Sequence, residues 1–278
     1  MAVTGAVEIS GPDGFRGNSI LDAAIERLRL AGSESALLFD FDGVLSRIQD
    51  DPESARPMDG VSEQLDALGH RIGTIAIVSS RNADFLYSRF KGLHGIEIYG
   101  LYGLERAEPD GTVVVEPEAR KWLAAARKLW SEATDALHGV YVEDKRLSVG
   151  LHYRRVPQAR DAVEAWALEA AERTGFRVQP GRMAVELKPP LATDKGSTVQ
   201  DIISGMKAAW YFGDDLADVP AFAALRRRAN ADQDFSGLAV GVGNDTVVDD
   251  VLVSSDIFLT SPILVVELLR HLRHELVI

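Results

Sequence analysis

The chain has 278 residues, 46% of them apolar, enough to bury a substantial core and more than one compact unit usually holds, so a large domain carrying a smaller one is expected. With 30 basic and 42 acidic residues the net charge is -12, which repels phosphate backbones and argues against nucleic acid as a partner. Cysteine is absent, excluding disulfides, a thiolate nucleophile and sulfur-bound zinc, so any metal should be a hard cation held by oxygen.

Met1 to Gly17 lacks the basic start and apolar stretch of a secretory signal, and the apolar stretch from Val251 is broken by Asp256 before it reaches membrane-spanning length. A cytoplasmic location and no membrane partner are expected. A helix is predicted over residues 21–30. The run Ala36-Leu37-Leu38-Phe39 is short, wholly apolar and stops at acidic residues and Gly43, as a strand buried on both faces does. A helical pattern over 59–68, a buried strand over 72–78 and a helix over 83–90 follow, an alternation that implies a parallel sheet with right-handed crossovers.

After Glu105 the pattern changes. Asp110-Gly111 marks a tight turn between short extended pieces, followed by a helix over 117–137. Extended segments at 139–142, 147–153, 176–178 and 183–187, with a helix over 158–174, predict a separate antiparallel sheet backed by two helices. The alternation resumes from Lys195, with strands at 208–212 and 238–242 and helices at 219–227 and 262–274. The predicted organisation is an α/β core from 1–107 and 190–278, interrupted by an α+β domain at 108–189.

Asp40-Phe41-Asp42-Gly43-Val44-Leu45 ends the first buried strand, where ligands bind in open parallel sheets. Carboxylates one residue apart on extended chain point in different directions. One can stay ionised beside a cation and attack phosphorus while the other exchanges protons with the leaving oxygen and water. A strand-end turn whose acids merely meet solvent is the alternative. Gly213-Asp214-Asp215-Leu216-Ala217-Asp218 follows another buried strand, and its carboxylates repel unless a cation such as magnesium neutralises them. Asp218 is equally well placed to serve the helix start. Ser79-Ser80-Arg81 lies between a strand and a helix, fit to hold phosphate or to act as an N-cap. Lys195-Gly196 opens a helix, where an ammonium opposes the dipole unless phosphate or aspartate lies beside it.

With an Asp-x-Asp-Gly strand end, a Ser strand end, a Lys and an acidic strand end in that order, the chain resembles the haloacid dehalogenase superfamily of phosphotransferases. That resemblance implies a Rossmann-like core with an inserted cap, Asp40 as nucleophile and Asp42 as general acid and base. It also implies Ser79, Ser80 and Lys195 on the phosphate. Mg2+ would be held by Asp40, the Asp42 carbonyl and Asp214, with Asp215 and Asp218 supporting. Val78-Ser79-Ser80-Arg81, Glu143-Asp144-Lys145, His152-Tyr153-Arg154 and Glu186-Leu187-Lys188-Pro189 extend the likeness to the trehalose-6-phosphate phosphatase family. In that family the cap closes over a sugar, which implies Arg81, Tyr102, Glu105, Glu143, Lys145, Arg154 and Glu186 as substrate contacts. On their residues alone, Glu143 to Lys145 equally suit a solvated loop.

Val44, Ser80, Gly100-Leu101-Tyr102-Gly103 and Ala217-Asp218-Val219 depart from the family pattern. Val44 removes a hydroxyl but no reacting group. Ser80 adds bulk where glycine permits close approach, and Tyr102 replaces an imidazole with a phenol that never becomes cationic. The implied activity is hydrolysis of trehalose 6-phosphate through an aspartyl-phosphate. Rival readings are a phosphatase for another sugar or pseudo-sugar phosphate, a phosphomutase and a non-catalytic sugar-phosphate sensor. The expected partner is a small sugar phosphate, on a monomer or weak homo-oligomer.

Overall fold

The computed structural model describes residues 6–181, 183–244 and 248–277. In chain order the strands are β1 (Val7–Ile9), β2 (Ser35–Phe39), β3 (Thr74–Val78), β4 (Ile96–Gly100), β5 (Glu105–Ala107), β6 (Val113–Val115), β7 (Tyr141–Asp144), β8 (Val149–His152), β9 (Arg177–Gly181), β10 (Ala184–Lys188), β11 (Ala208–Gly213), β12 (Ser236–Val242) and β13 (Ile257–Leu259). Nine of them form one sheet in the order β1-β13-β12-β11-β2-β3-β4-β5-β6. Neighbours from β1 to β4 are parallel, and β5 turns back antiparallel to β4.

The central strands are apolar throughout because both their faces are covered. Leu37, Phe39, Ile75, Ile77, Trp210 and Phe212 face one layer, which includes the helices Ser19–Ala31, Val61–Gly69, Ala83–Phe90 and Ile263–Val277. Ala36, Leu38, Ala76, Val78, Ala209 and Tyr211 face the other, formed with Lys195–Ile202, Val219–Ala231 and Asp249–Ser254. Each fully buried large side chain contributes about 1.5–3 kcal/mol. This pins the register and fixes where the carboxyl ends of β2, β3 and β11 emerge. The expected α/β class and parallel sheet are therefore present.

The chain divides into two units, Met1–Val113 with Thr193–Ile278 and Val114–Ala192. The turn at Asp110-Gly111 forms, with the Glu108 N–H donating to the Thr112 carbonyl at 2.8 Å, but it joins β5 to β6 at the edge of the large sheet instead of opening the inserted unit. The register of β5 against β4, pairing Gly100 with Glu105 and Ile98 with Ala107, carries the chain back along the existing edge. The helical stretch predicted over 117–137 is two helices, Pro117–Arg120 and Leu123–Ala136.

The second unit contains a four-stranded antiparallel sheet, β7-β8-β10-β9. Val149, Leu151, Val185 and Leu187 bury one face against Leu123–Ala136 and Arg160–Thr174, through Leu129, Ala133, Val163 and Ala167. Strand alternation then leaves Glu143, His152 and Glu186 on the other face. Among the described residues no helix is long and apolar enough to cross a membrane.

Candidate active site

Asp40 follows β2, and its N–H continues the ladder by donating to the Phe212 carbonyl at 2.9 Å. This brings Asp40 beside Gly213-Asp214 at the end of the paired strand β11. The Asp40 carboxylate accepts from the Phe41 N–H at 2.6 Å. The N–H groups of Leu45 and Ser46 both return to the Phe41 carbonyl, closing a tight loop after Asp42. Gly43 has φ +77, and a β-carbon there would lie 2.1 Å from Asp214 Oδ2. The position is thus restricted both by backbone conformation and by the close approach of a carboxylate.

Lys195 enters from the start of the helix Lys195–Ile202, which Asp194 and Ser197 cap reciprocally. A β-carbon at Gly196 would lie 2.6 Å from the Pro220 carbonyl, so glycine lets this helix approach Val219–Ala231 closely. The lysine is 1% exposed, with Nζ 2.7 Å from Asp40 Oδ2 and 2.7 Å from Asp218 Oδ1. Against burial, which pulls it down, Asp218 and Asp40 hold Lys195 well above its ordinary value.

Oxygen atoms of Asp40, Asp214 and Asp218 lie within 4.8 Å of one another, and all three residues are buried. Burial pushes Asp40 up to about 8 despite the pull of Lys195. Burial and then the Asp40 charge push Asp214 up as well. Such a group takes up protons unless a cation replaces them, and an all-oxygen donor set fits a hard divalent ion such as magnesium. The Asn244 amide donates to Asp214 Oδ2 at 2.6 Å, orienting that carboxylate. Asp215 is exposed, its Oδ1 accepting from the Ala217 N–H at 2.8 Å.

Asp42 is held in a two-pronged ion pair by Arg81, whose Nε and Nη2 donate at 2.7 and 2.9 Å. Ser79 is buried at the end of β3, its N–H on the Tyr99 carbonyl at 3.0 Å, while Ser80 is half-buried. Leu101 and Tyr102 both adopt positive φ, 48° and 64°, unusual for side chains of this size. The Tyr102 N–H donates to the Ser79 carbonyl at 2.9 Å and Thr198 Oγ1 donates to the Tyr102 carbonyl at 2.8 Å, so this turn ties the serine loop to the lysine's helix. The Tyr102 side chain is buried. Glu105 is also buried and accepts from the Ala83 N–H at 3.0 Å, beneath the start of Ala83–Phe90.

The remaining predicted contacts belong to the second unit. Glu143 and Glu186 flank Gly150 in register, and Lys145 Nζ lies 3.1 Å from Glu186 Oε2 and 3.9 Å from Glu143 Oε2. Ser148 donates to Glu186 Oε1 at 2.7 Å, and His152 Nε2 pairs with Glu143 Oε2 at 2.8 Å. Arg154 is exposed just beyond β8. Ser148, Asn244 and Tyr211 lie outside the motifs, and His152 stands in one, His152-Tyr153-Arg154, without a role of its own there. The strand alternation that places His152 on the polar face was a usable signal for that residue alone.

The trehalose-phosphatase family model matches residues 38–260. A trehalose-phosphate phosphatase of Mycobacterium avium is 38% identical over 208 residues, covering 71% of this chain and 53% of that protein. The solved C-terminal domain of a C. albicans trehalose-6-phosphate phosphatase is 21% identical, with 91% of this chain and 96% of that one covered and a TM-score of 0.73. A haloacid dehalogenase-like hydrolase from Bacteroides thetaiotaomicron, 16% identical over 85% of this chain and 98% of its own, has a TM-score of 0.57. The two solved structures bear on the fold alone, and the chain spans about half the length of the curated relatives it matches. With the family model running from β2 through β13, the chain belongs to the trehalose-phosphatase family.

Proposed function

We propose that the chain is a magnesium-dependent phosphatase that hydrolyses a trehalose-like disaccharide phosphate, trehalose 6-phosphate to trehalose and phosphate, through an aspartyl-phosphate on Asp40. The observation that carries this reading is the position of Lys195 Nζ, 2.7 Å from both Asp40 and Asp218, inside a buried carboxylate cluster at the carboxyl ends of adjacent parallel strands. A carboxylate held by an ammonium in a nearly dry site is suited to attack phosphorus and poorly suited to a purely structural task.

An Asp40 oxygen attacks phosphorus as the bond to the sugar oxygen breaks, and that oxygen takes a proton from Asp42. Water then gives its proton to Asp42 and displaces Asp40, releasing inorganic phosphate. Asp42 delivers its proton only after the Arg81 fork lets go of one carboxylate oxygen, and an incoming phosphoryl dianion competes for that guanidinium. Ser79, Ser80 and Lys195 hold phosphoryl oxygens. Asp40, Asp214 and the Asp42 carbonyl, with Asp215 nearby, would hold magnesium, which would supply Lewis-acid neutralisation of the phosphoryl charge. Glu143, Lys145 and Glu186 are assigned to sugar hydroxyls, kept in place by His152 and Ser148. Carboxylates accept from hydroxyls and the ammonium donates to ring and hydroxyl oxygens.

The test is magnesium-dependent phosphate release from trehalose 6-phosphate beside a panel of monosaccharide and other disaccharide phosphates. Preference for trehalose 6-phosphate is expected. Faster turnover of another member would keep the chemistry and replace the substrate, the rival that the departures at Ser80 and Tyr102 motivate, Tyr102 being tied by its backbone N–H to the Ser79 carbonyl. Release from none of them would overturn the reading.

A further inference from the structure

The reaction scheme leaves the buried phenol of Tyr211, linked to the nucleophile through Asp218 and Lys195, without a task. Its ring sits in the apolar layer on one face of β11, edge-on to Phe222 with centroids 5.9 Å apart, a slot that phenylalanine would fill equally well. The hydroxyl is therefore the part that needs a reason, since a buried hydroxyl without a partner is destabilising. It donates to Asp218 Oδ1 at 2.6 Å. The same oxygen accepts from Lys195 Nζ at 2.7 Å, and that ammonium lies 2.7 Å from Asp40 Oδ2.

Asp218 Oδ2 is occupied as well, accepting the N–H groups of Asp214 at 2.9 Å and Asp215 at 3.1 Å. The two amides fix one end of the carboxylate to the strand-end loop. The phenol fixes the other, which is the end that anchors the lysine. A lysine head on a flexible four-carbon stem has several places to go once that anchor swings. With both oxygens committed to donors, Asp218 serves the lysine more directly than it serves a cation.

We propose that Tyr211 is a positioning residue of the phosphoryl site: its hydroxyl locks the Asp218 carboxylate so that Lys195 stays on Asp40. The inference rests on the phosphatase reading. Tyr211→Phe removes a single oxygen and no apolar volume, so a cooperative thermal melt lowered by no more than about 2–4 °C is the expected control. Losing a hydrogen bond to a charged group corresponds to about a tenfold effect. Calorimetry of inorganic phosphate binding to the magnesium-loaded protein should show about tenfold weaker affinity, with a comparable fall in kcat on p-nitrophenyl phosphate. Magnesium affinity, titrated separately, should stay within about twofold of wild type. In a Lys195→Gln background, Tyr211→Phe should add no further loss of phosphate affinity. Asp218→Asn supplies a second check, expected to weaken phosphate binding while sparing magnesium binding.

Phosphate affinity and turnover within about twofold of wild type in Tyr211→Phe would overturn the positioning claim alone. Magnesium affinity falling in step with phosphate affinity in either variant would overturn it too, because the pair would then be serving the metal. If the wild-type chain neither binds phosphate nor releases it from p-nitrophenyl phosphate, the phosphatase reading falls and the inference with it.

Discussion

Replacing Lys195 with methionine keeps an unbranched stem of similar length and removes the charge from a site where the side chain is 1% exposed. Two carboxylate oxygens, on Asp40 and Asp218, each lose a partner at 2.7 Å. Removing one member of a buried ion pair leaves its partner's charge uncompensated, at a cost of about 3–5 kcal/mol. With a urea m-value of about 2–3 kcal/mol/M for a chain of this size, the denaturation midpoint of the metal-free protein should fall by about 1–2 M. The deficit should narrow as pH falls, since Asp40 takes up a proton and no longer needs the ammonium. In activity, loss of a preorganised cation beside the reacting phosphoryl group should lower kcat by about 10²–10³-fold. A midpoint within about 0.3 M of wild type, by the same m-value relation, together with kcat within tenfold, would refute the assignment of Lys195 as the charge that holds this site.

Asp40 has its folded value raised to about 8 from an ordinary 3.8, so folding favours its protonated form. Its contribution is most favourable below about 4 and is lost as pH rises through about 8. Metal-free wild type should therefore lose stability relative to Asp40→Asn across that interval, a slope that saturating magnesium should abolish; a flat difference in urea midpoints would count against the burial argument. In the second unit, Glu186→Gln keeps the shape of a side chain held by Ser148 at 2.7 Å and Lys145 at 3.1 Å but removes its charge. It should raise KM for the disaccharide phosphate about tenfold while leaving turnover of p-nitrophenyl phosphate unchanged. Equal losses on both substrates would place Glu186 in the chemistry instead of in sugar recognition.

The ends of β2, β3 and β11 were readable because strands covered on both faces appear as unbroken apolar runs, and each of these runs stops at a polar group. Asp40, Ser79 and Asp214 are those groups, and the structure sets Asp40 against Asp214 through the pairing of β2 with β11. In the second unit Glu143 and Glu186 were marked by the family resemblance, while the polar face they share with His152 comes from the pairing of β7, β8 and β10. β1 and β13 were not recognised, since three-residue strands carry too little periodicity, and β4 mixes Glu97 and Tyr99 into its pattern. The commitment of Asp218 to Tyr211 and Lys195 depends on contacts across 7 and 23 residues, for which local sequence offers no signal. Glu105, a substrate contact by the family resemblance, lies buried under a helix start because β5 folds back along β4, a placement local sequence does not signal. Bulky residues at positive φ in Leu101 and Tyr102 were equally unreadable, being held by contacts to Ser79, Arg81 and Thr198.

Covalent catalysis by Asp40 is tested most directly by quenching the magnesium-loaded enzyme with acid during turnover of its sugar phosphate, reducing it with borohydride and sequencing the peptides. An aspartyl-phosphate is reduced to homoserine, and the account predicts homoserine at position 40 only in samples quenched during turnover. Homoserine at another aspartate, or none while phosphate is still being released, would contradict it.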